Sequence, residues 1–596
     1  MIMKVIKIGG LALFITGFII FNASFFWANY SLTPEIVQSK ISDTSKSELF
    51  LNQAKEILNK QVGSNFSFVS SLKEVFEIVN EQQIKLYEIS STDLDKLVSL
   101  NTTSFSIATI DSLYNSDAEV SRFKNKVFKD YGSWLDGQSF KSPEQLKSRL
   151  EEVAGKIKAY GIINQVGFDR YQVKDLTYSM TKASAISPVK NNPFGFLLLT
   201  IGLCVIGALF YILPKLQLKP GIKNNGIFFN IMKNASWLGI MTGAWLITFY
   251  VLLYFYPEYM TNWIIMVDPV SVFLNGGEAS RFFLYGFIYT LCILVMGVRM
   301  IIHYRHSKYQ ILRTCSVMFF QTAFAFLLPE ILIRLNKPYF DFKNIWPLDY
   351  SFFFDSRLDT LTQNGTLGLF MLGWGIALII IGVPVFVYFF GKRWYCSWVC
   401  GCGGLAETLG DPYRQLSNKT LKAWKVERWM IHAVLVFAVV MTAGVLYTYF
   451  TDSGWFLFFD SYQLREVYGA FIGAGFAGVV GTGFYPVMGN RVWCRFGCPL
   501  AAYLGIIQRF KSRFRITTNG GQCISCGNCS TYCEMGIDVR WYAQRGQNIV
   551  RSSCVGCGVC SSVCPRGVLN LEVKDEAGRF GNPILIGNNN ITISDN

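Results

Sequence analysis

The sequence predicts an α-helical polytopic membrane protein of about eight spans, with a helix-rich extracytoplasmic domain near its N-terminus and a small C-terminal α+β domain. Three observations predict it. Apolar runs of membrane length recur along the chain, lysine and arginine gather in alternate loops between them, and 13 of the 16 cysteines lie beyond residue 395. Of 596 residues, 51% are hydrophobic and only 16% charged. A soluble domain carries about 25% charged residues.

Apolar runs of roughly 20 residues can cross a hydrocarbon core about 30 Å thick. Eight occur, at about 8–27, 194–213, 235–256, 282–302, 314–334, 367–390, 430–450 and 467–488. The first reads as an uncleaved anchor. Cleavage of a signal peptide after Asn22-Ala23-Ser24 would leave the orientation of the rest unchanged. The net charge of +15 is placed beside these runs, which points to membrane topology rather than nucleic acid. Lys4 and Lys7 precede the first run. The next inward loops hold Lys215 to Lys233, Arg299 to Arg313, and Lys392 to Arg428, and Arg491 to Arg515 follow the eighth run. Outward loops carry Glu258, Asp268 and Glu278, the mixed stretch 337–359, and Asp452 to Glu466. By the positive-inside rule both chain ends are cytoplasmic in a bacterial inner membrane.

The expected domains are an anchor at 1–27, an extracytoplasmic domain at 28–193, a seven-span membrane domain at 194–510, a cytoplasmic domain at 511–575 and a tail at 576–596. Apolar spacing in Ser47–Val62, and in the stretch from Ser71 to Leu86, predicts helices in the outer domain. Span eight contains Gly469, Gly473, Gly475, Gly478, Gly481 and Gly483, as close helix packing requires.

The cytoplasmic segment carries Cys523-x2-Cys526-x2-Cys529-x3-Cys533 and then Cys554-x2-Cys557-x2-Cys560-x3-Cys564-Pro565. An iron–sulfur cube needs four thiolates. Cysteines at every third residue supply three, and in two-cluster ferredoxins the fourth of each run serves the other cluster. The expected sets are Cys523, Cys526, Cys529 and Cys564 for one [4Fe–4S] cluster, and Cys554, Cys557, Cys560 and Cys533 for the other. Glu534 stands where a proline follows the second run.

Two further motifs lie at the inner ends of spans six and eight: Cys396-x3-Cys400-Gly401-Cys402 and Cys494-x3-Cys498-Pro499. At spacing i, i+4 two thiols share one helical face. Cys396, Cys400, Cys494 and Cys498, with Cys402 beside them, are candidate ligands for a further cluster, Cu(I) or zinc, or redox-active dithiols.

On these motifs, residues from about 367 to 572 resemble the NosR/NapH-like membrane polyferredoxin family. That family combines membrane spans, two cytoplasmic Cys-x3-Cys-Pro motifs and a C-terminal two-cluster ferredoxin. The resemblance implies that Cys396, Cys400, Cys494 and Cys498 are the paired motif cysteines. It also implies electron delivery, from quinol or a cytoplasmic donor, to a respiratory reductase or its maturation system. A redox-sensing regulatory or maturation protein and a copper-handling metal reductase are the alternatives. The stretch Tyr178-Ser179-Met180-Thr181-Lys182-Ala183-Ser184 lacks the glycine of a Ser-Gly-Ala-Thr-like attachment motif, which argues against covalent FMN.

Overall fold

The computed structural model describes residues 2–101, 104–116, 118–223, 236–451, 455–456 and 459–573. The expected tail 576–596 and Lys233 lie outside the described residues. The chain forms two compact units.

One unit comprises 22–193 together with 257–266. It is helix-rich, with Asn65–Tyr87, Pro143–Lys156 and Arg170–Ser184 among its longer helices. Capping boxes start two helices: Ser90 with Asp93, and Asp169 with Gln172. A small antiparallel sheet places Asn29–Ser31 between Gln61–Val62 and Ala185–Ile186. The helix expected across Ser47–Val62 ends at Gln53, and the chain turns and enters the sheet at Gln61. The loop after the third run, expected to face outward, contributes to this unit's core. Trp263, Ile264, Ile265 and Met266 are buried, and Glu258 pairs with Lys73 at 2.8 Å. Thr181 is buried within Arg170–Ser184, where its hydroxyl donates to the Thr177 carbonyl.

The other unit comprises 1–21, 194–256 and 267–596. Among the described residues, seven helices are long and apolar enough to cross a membrane: Ile2–Ser24, Pro193–Gln217, Trp237–Phe255, Arg281–His303, Lys308–Arg334, Gly365–Phe390 and Leu421–Thr451. The eighth run is not among them. It folds in successive helical pieces, Ser461–Tyr468, the wider turns Gly469–Val480, and Gly481–Gly483. Its glycines meet bulky neighbours. A Cβ on Gly478 would lie 2.7 Å from the Tyr254 ring, and one on Gly473 would lie 3.0 Å from Tyr350. At its far end Pro486 lies against Gly239 and Gly243, so this run lies antiparallel to Trp237–Phe255.

Residues 514–573 form a small α+β fold closed by one ladder. Phe514–Thr518 pairs antiparallel with Leu569–Val573, from Phe514↔Val573 to Thr518↔Leu569. Short helices Asn528–Thr531, Val539–Gln544 and Val559–Ser562 lie between them.

Candidate metal centres

Sixteen free cysteines are present, and thirteen of them gather at three places. Cys523, Cys526, Cys529 and Cys564 line one small cavity, with Arg540 and Arg566 beside them. Cys533, Cys554, Cys557 and Cys560 line a second. Each grouping takes three thiols from one run and one from the other, the crossed arrangement expected from the spacing. The loops reverse tightly through Ser525 (φ 58°) and Gly527 in the first run, and through Gly556 and Gly558 in the second. Gly556 has a second constraint: a Cβ there would lie 2.7 Å from that of Arg393.

The two sites differ in surroundings. Cys526 is exposed. The second site is covered by segments that flank the apolar helices, whose side chains donate to its loop. Lys392 Nζ donates to the Ser552 carbonyl (2.7 Å), Gln508 Nε2 to Cys554 (2.8 Å), Ser397 Oγ to Val555 (2.8 Å), Tyr309 Oη to Gly556 (2.9 Å) and Gln310 Nε2 to Cys557 (2.8 Å). Burial pushes the Cys557 thiol up to about 12 and Cys554 up to about 11. Binding as thiolate therefore requires a cation that displaces the proton.

The third place joins the two membrane-edge motifs. Cys396, Cys400, Cys402, Cys494 and Cys498 line one small cavity with Tyr395 and Trp493. The thiols of a pair do not share one helical face, as i, i+4 spacing suggested. Cys396 ends the turn Arg393–Cys396 and Cys400 precedes Gly401–Thr408, while Cys494 lies in the wide turn Trp493–Gly497 and Cys498 precedes Pro499–Lys511. Chain reversal brings them together. Cys400 and Cys498 thus occupy matching helix N-caps, where backbone N–H groups favour negative sulfur, and Ala501 N–H donates to Cys498 Sγ at 3.4 Å. Burial raises Cys396 to about 12. The Cys402 thiol donates to Cys400, lowering Cys400 and raising itself. Gly401 replaces the expected proline because a Cβ there would lie 2.6 Å from Gln321 Oε1.

Each of the three places gathers four or five thiols, a soft set suited to iron–sulfur clusters. Sequence reasoning missed what lies between the second and third. Arg313, Arg414 and Arg491 count only among the basic residues of the inward loops, but they are 1%, 0% and 1% exposed. Arg313 and Arg491 pair with Glu407, Arg414 pairs with Glu534 at 2.7 Å and with Asp411 at 3.2 Å, and Arg299 reaches Asp411 at 2.9 Å. Burial raises the Asp411 carboxyl, yet the two guanidiniums outweigh it and bring it down to about 2. The only available signal was Glu407, Asp411 and Glu534 standing in otherwise basic segments.

A fourth cavity, of about 120 Å³, adjoins the third thiol group. Tyr250, Tyr254, Tyr285, Tyr289 and Tyr485 wall it, and Cys402 and Cys494 lie at its edge.

Residues 373–420 and 469–517 match a 4Fe-4S binding domain, and residues 522–569 match a 4Fe-4S dicluster domain. The chain is 27% identical over 174 residues to the putative electron transport protein YccM of Escherichia coli, covering 27% of this chain and 47% of that one. It is 28% identical over 159 residues to the methylamine utilization ferredoxin-type protein MauN of Methylobacillus flagellatus (25% and 51%), and 27% identical over 173 residues to that of Paracoccus denitrificans (27% and 56%). The chain thus spans about half the length of the curated relatives it matches. No solved structure matches it. The chain thus carries 4Fe–4S binding and dicluster domains and, among its described residues, seven helices of membrane length, and it is similar to proteins named for electron transport, in keeping with its NosR/NapH-like resemblance.

Proposed function

We propose that this chain is an inner-membrane electron carrier, passing electrons between quinol or a cytoplasmic donor and a respiratory reductase or its maturation system. One observation carries the reading: the cysteines gather as three thiol groups, the first with Cys526 exposed, and Lys392 and Ser397, beside the third group, donate to the loop of the second. Cys523, Cys526, Cys529 and Cys564 hold one [4Fe–4S] cluster, and Cys533, Cys554, Cys557 and Cys560 hold the other. Cys396, Cys400, Cys494 and Cys498 hold a third centre. Bound clusters supply one-electron oxidation and reduction. The chain's own residues fix the spacing between sites, exclude water around Cys557 and Cys494, and present Cys526 to a partner protein. Arg540 and Arg566 beside that exposed face fit an acidic redox partner.

The tyrosine-walled cavity supports quinol as the membrane-side donor. The cavity, of about 120 Å³ beside Cys494, offers the phenols of five tyrosines to bond quinol oxygens. Positive-inside counting places the clusters in the cytoplasm and residues 28–193 outside, with the eighth run as a crossing. Anaerobic purification, iron analysis and EPR test the reading. About eight iron atoms are expected from two cubes, and more if the third group also holds a cluster. Fewer than eight, or zinc in their place, would refute it.

A second reading follows from the fifth sulfur. Five thiols converge at the membrane edge, one more than a cube needs, and soft thiolates also suit Cu(I). Stoichiometric copper lost on Cys396→Ser, with iron unchanged, would favour a copper-handling reductase.

A further inference from the structure

Glu534 is the residue that breaks the pattern of the cysteine runs, standing after Cys533 where Pro565 follows Cys564. It is 1% exposed. Its Oε2 accepts from Arg414 Nη1 at 2.7 Å and from Asn490 Nδ2 at 3.2 Å, while Oε1 lies 3.1 Å from Arg491 Nε. None of these three partners belongs to the ferredoxin segment. Arg414 lies in the turn Asp411–Leu416, and Asn490 and Arg491 precede the second membrane-edge motif.

Both guanidiniums also reach sulfur. Arg491 Nη1 donates to Cys494 Sγ at 3.5 Å and Arg414 Nη1 to Cys557 Sγ at 3.9 Å. An unbroken polar run therefore joins Cys494, Arg491, Glu534, Arg414 and Cys557. Glu407, Glu534 and Cys557 offer atoms within 4.8 Å of one another, as a metal site would. The arginines neutralise both carboxylates, so the group is an ion-pair network. Charges this deeply buried are weakly screened and act on both thiol groups at once.

We propose that Glu534 is a positioning residue that clamps the ferredoxin segment to the membrane-edge thiols and ties together the reduction potentials of the centres at Cys557 and Cys494. The inference rests on the proposed function, in that the Cys494 group must hold a redox centre. When one electron passes between the two, one centre is oxidised and the other reduced. No proton or bond is exchanged, and the total charge around the shared arginines stays constant. The network can then remain in place while the electron moves.

The test is a potentiometric EPR titration of the full chain, with iron content measured in parallel. Glu534→Gln removes a buried negative charge, which eases reduction, so both midpoint potentials are expected to rise with iron retained. Glu534→Asp, which keeps the charge, is expected to stay nearer the unmodified chain. A Glu534→Gln chain in which neither potential moves, or only one, overturns the proposal. Should that variant lose iron, Arg414→Gln carries the test. It leaves Glu534 undercompensated and is expected to lower both potentials, whereas a shift confined to the Cys557 centre overturns the proposal. An unmodified chain showing no signal that Cys494→Ser removes would instead refute the reading beneath it.

Discussion

Gly401 and Pro499 occupy the same place in two similar turns, the first helical position after a cysteine N-cap. Proline is favoured there because its missing N–H has no partner to lose. Glycine replaces it where Gln321, whose Nε2 donates to Thr290 Oγ1 at 3.2 Å, places its Oε1 in the space a Cβ would need. Gly401→Pro is therefore expected to destabilise the chain by about 1–3 kcal/mol through overpacking, and Gln321→Ala in the same chain to restore most of the loss. Thermal unfolding in detergent measures both. The fifth thiol gives a second residue-scale prediction. Four sulfurs complete a cube, and Cys402 alone lies outside the two Cys-x3-Cys pairs. Cys402→Ser is expected to leave metal content unchanged while Cys494→Ser lowers it. Equal losses from both would make Cys402 a ligand.

At the scale of elements, legibility followed locality. The ferredoxin runs could be read because three ligands of each site sit within seven consecutive residues, so spacing alone encodes the loop. The union of Cys396 with Cys494 could be read as matching donor types but not as geometry, because the reversals at Ser397 and Gly497 depend on tertiary packing. The burial of Arg414 and Arg491 could not be read because Glu534 and Glu407 lie far along the chain, and even with Asp411 three residues away an arginine beside an apolar run looks the same whether solvated or buried. The helix expected across Ser47–Val62 failed for a related reason: Gln61–Val62 pairs with Asn29–Ser31, and that pairing overrides local apolar spacing. Helix starts were encoded locally. Asp169 accepts from the Tyr171 and Gln172 N–H groups at 2.7 and 2.9 Å, so Asp169→Ala is expected to cost about 1 kcal/mol, read as a lowered unfolding temperature. Gly478 offers the opposite case. Its replacement by leucine would drive a side chain into Tyr250 and Tyr254 and narrow the cavity they wall, so quinol-dependent reduction should fall while iron content holds.

For the whole molecule, the direction of the chain depends on the eighth run. Seven crossings from a cytoplasmic N-terminus would leave the ferredoxin segment outside, whereas an eighth returns it to the reducing side. The run is weak as a single helix because its glycines and wide turns interrupt regular winding, yet its contacts extend from Tyr350, in the loop before span six, to Gly239, at the start of Trp237–Phe255. A segment touching both ends of a membrane-length helix covers the same depth as that helix. Its backbone can lie in lipid only because neighbouring helices cover the loosened turns. Reporter fusions give the prediction. A fusion after Thr451 is expected to report the outside and one after Lys511 the cytoplasm. If both report the same face, the run does not cross, and the thiol groups of 523–564 lie on the side where disulfides form more readily than iron–sulfur clusters.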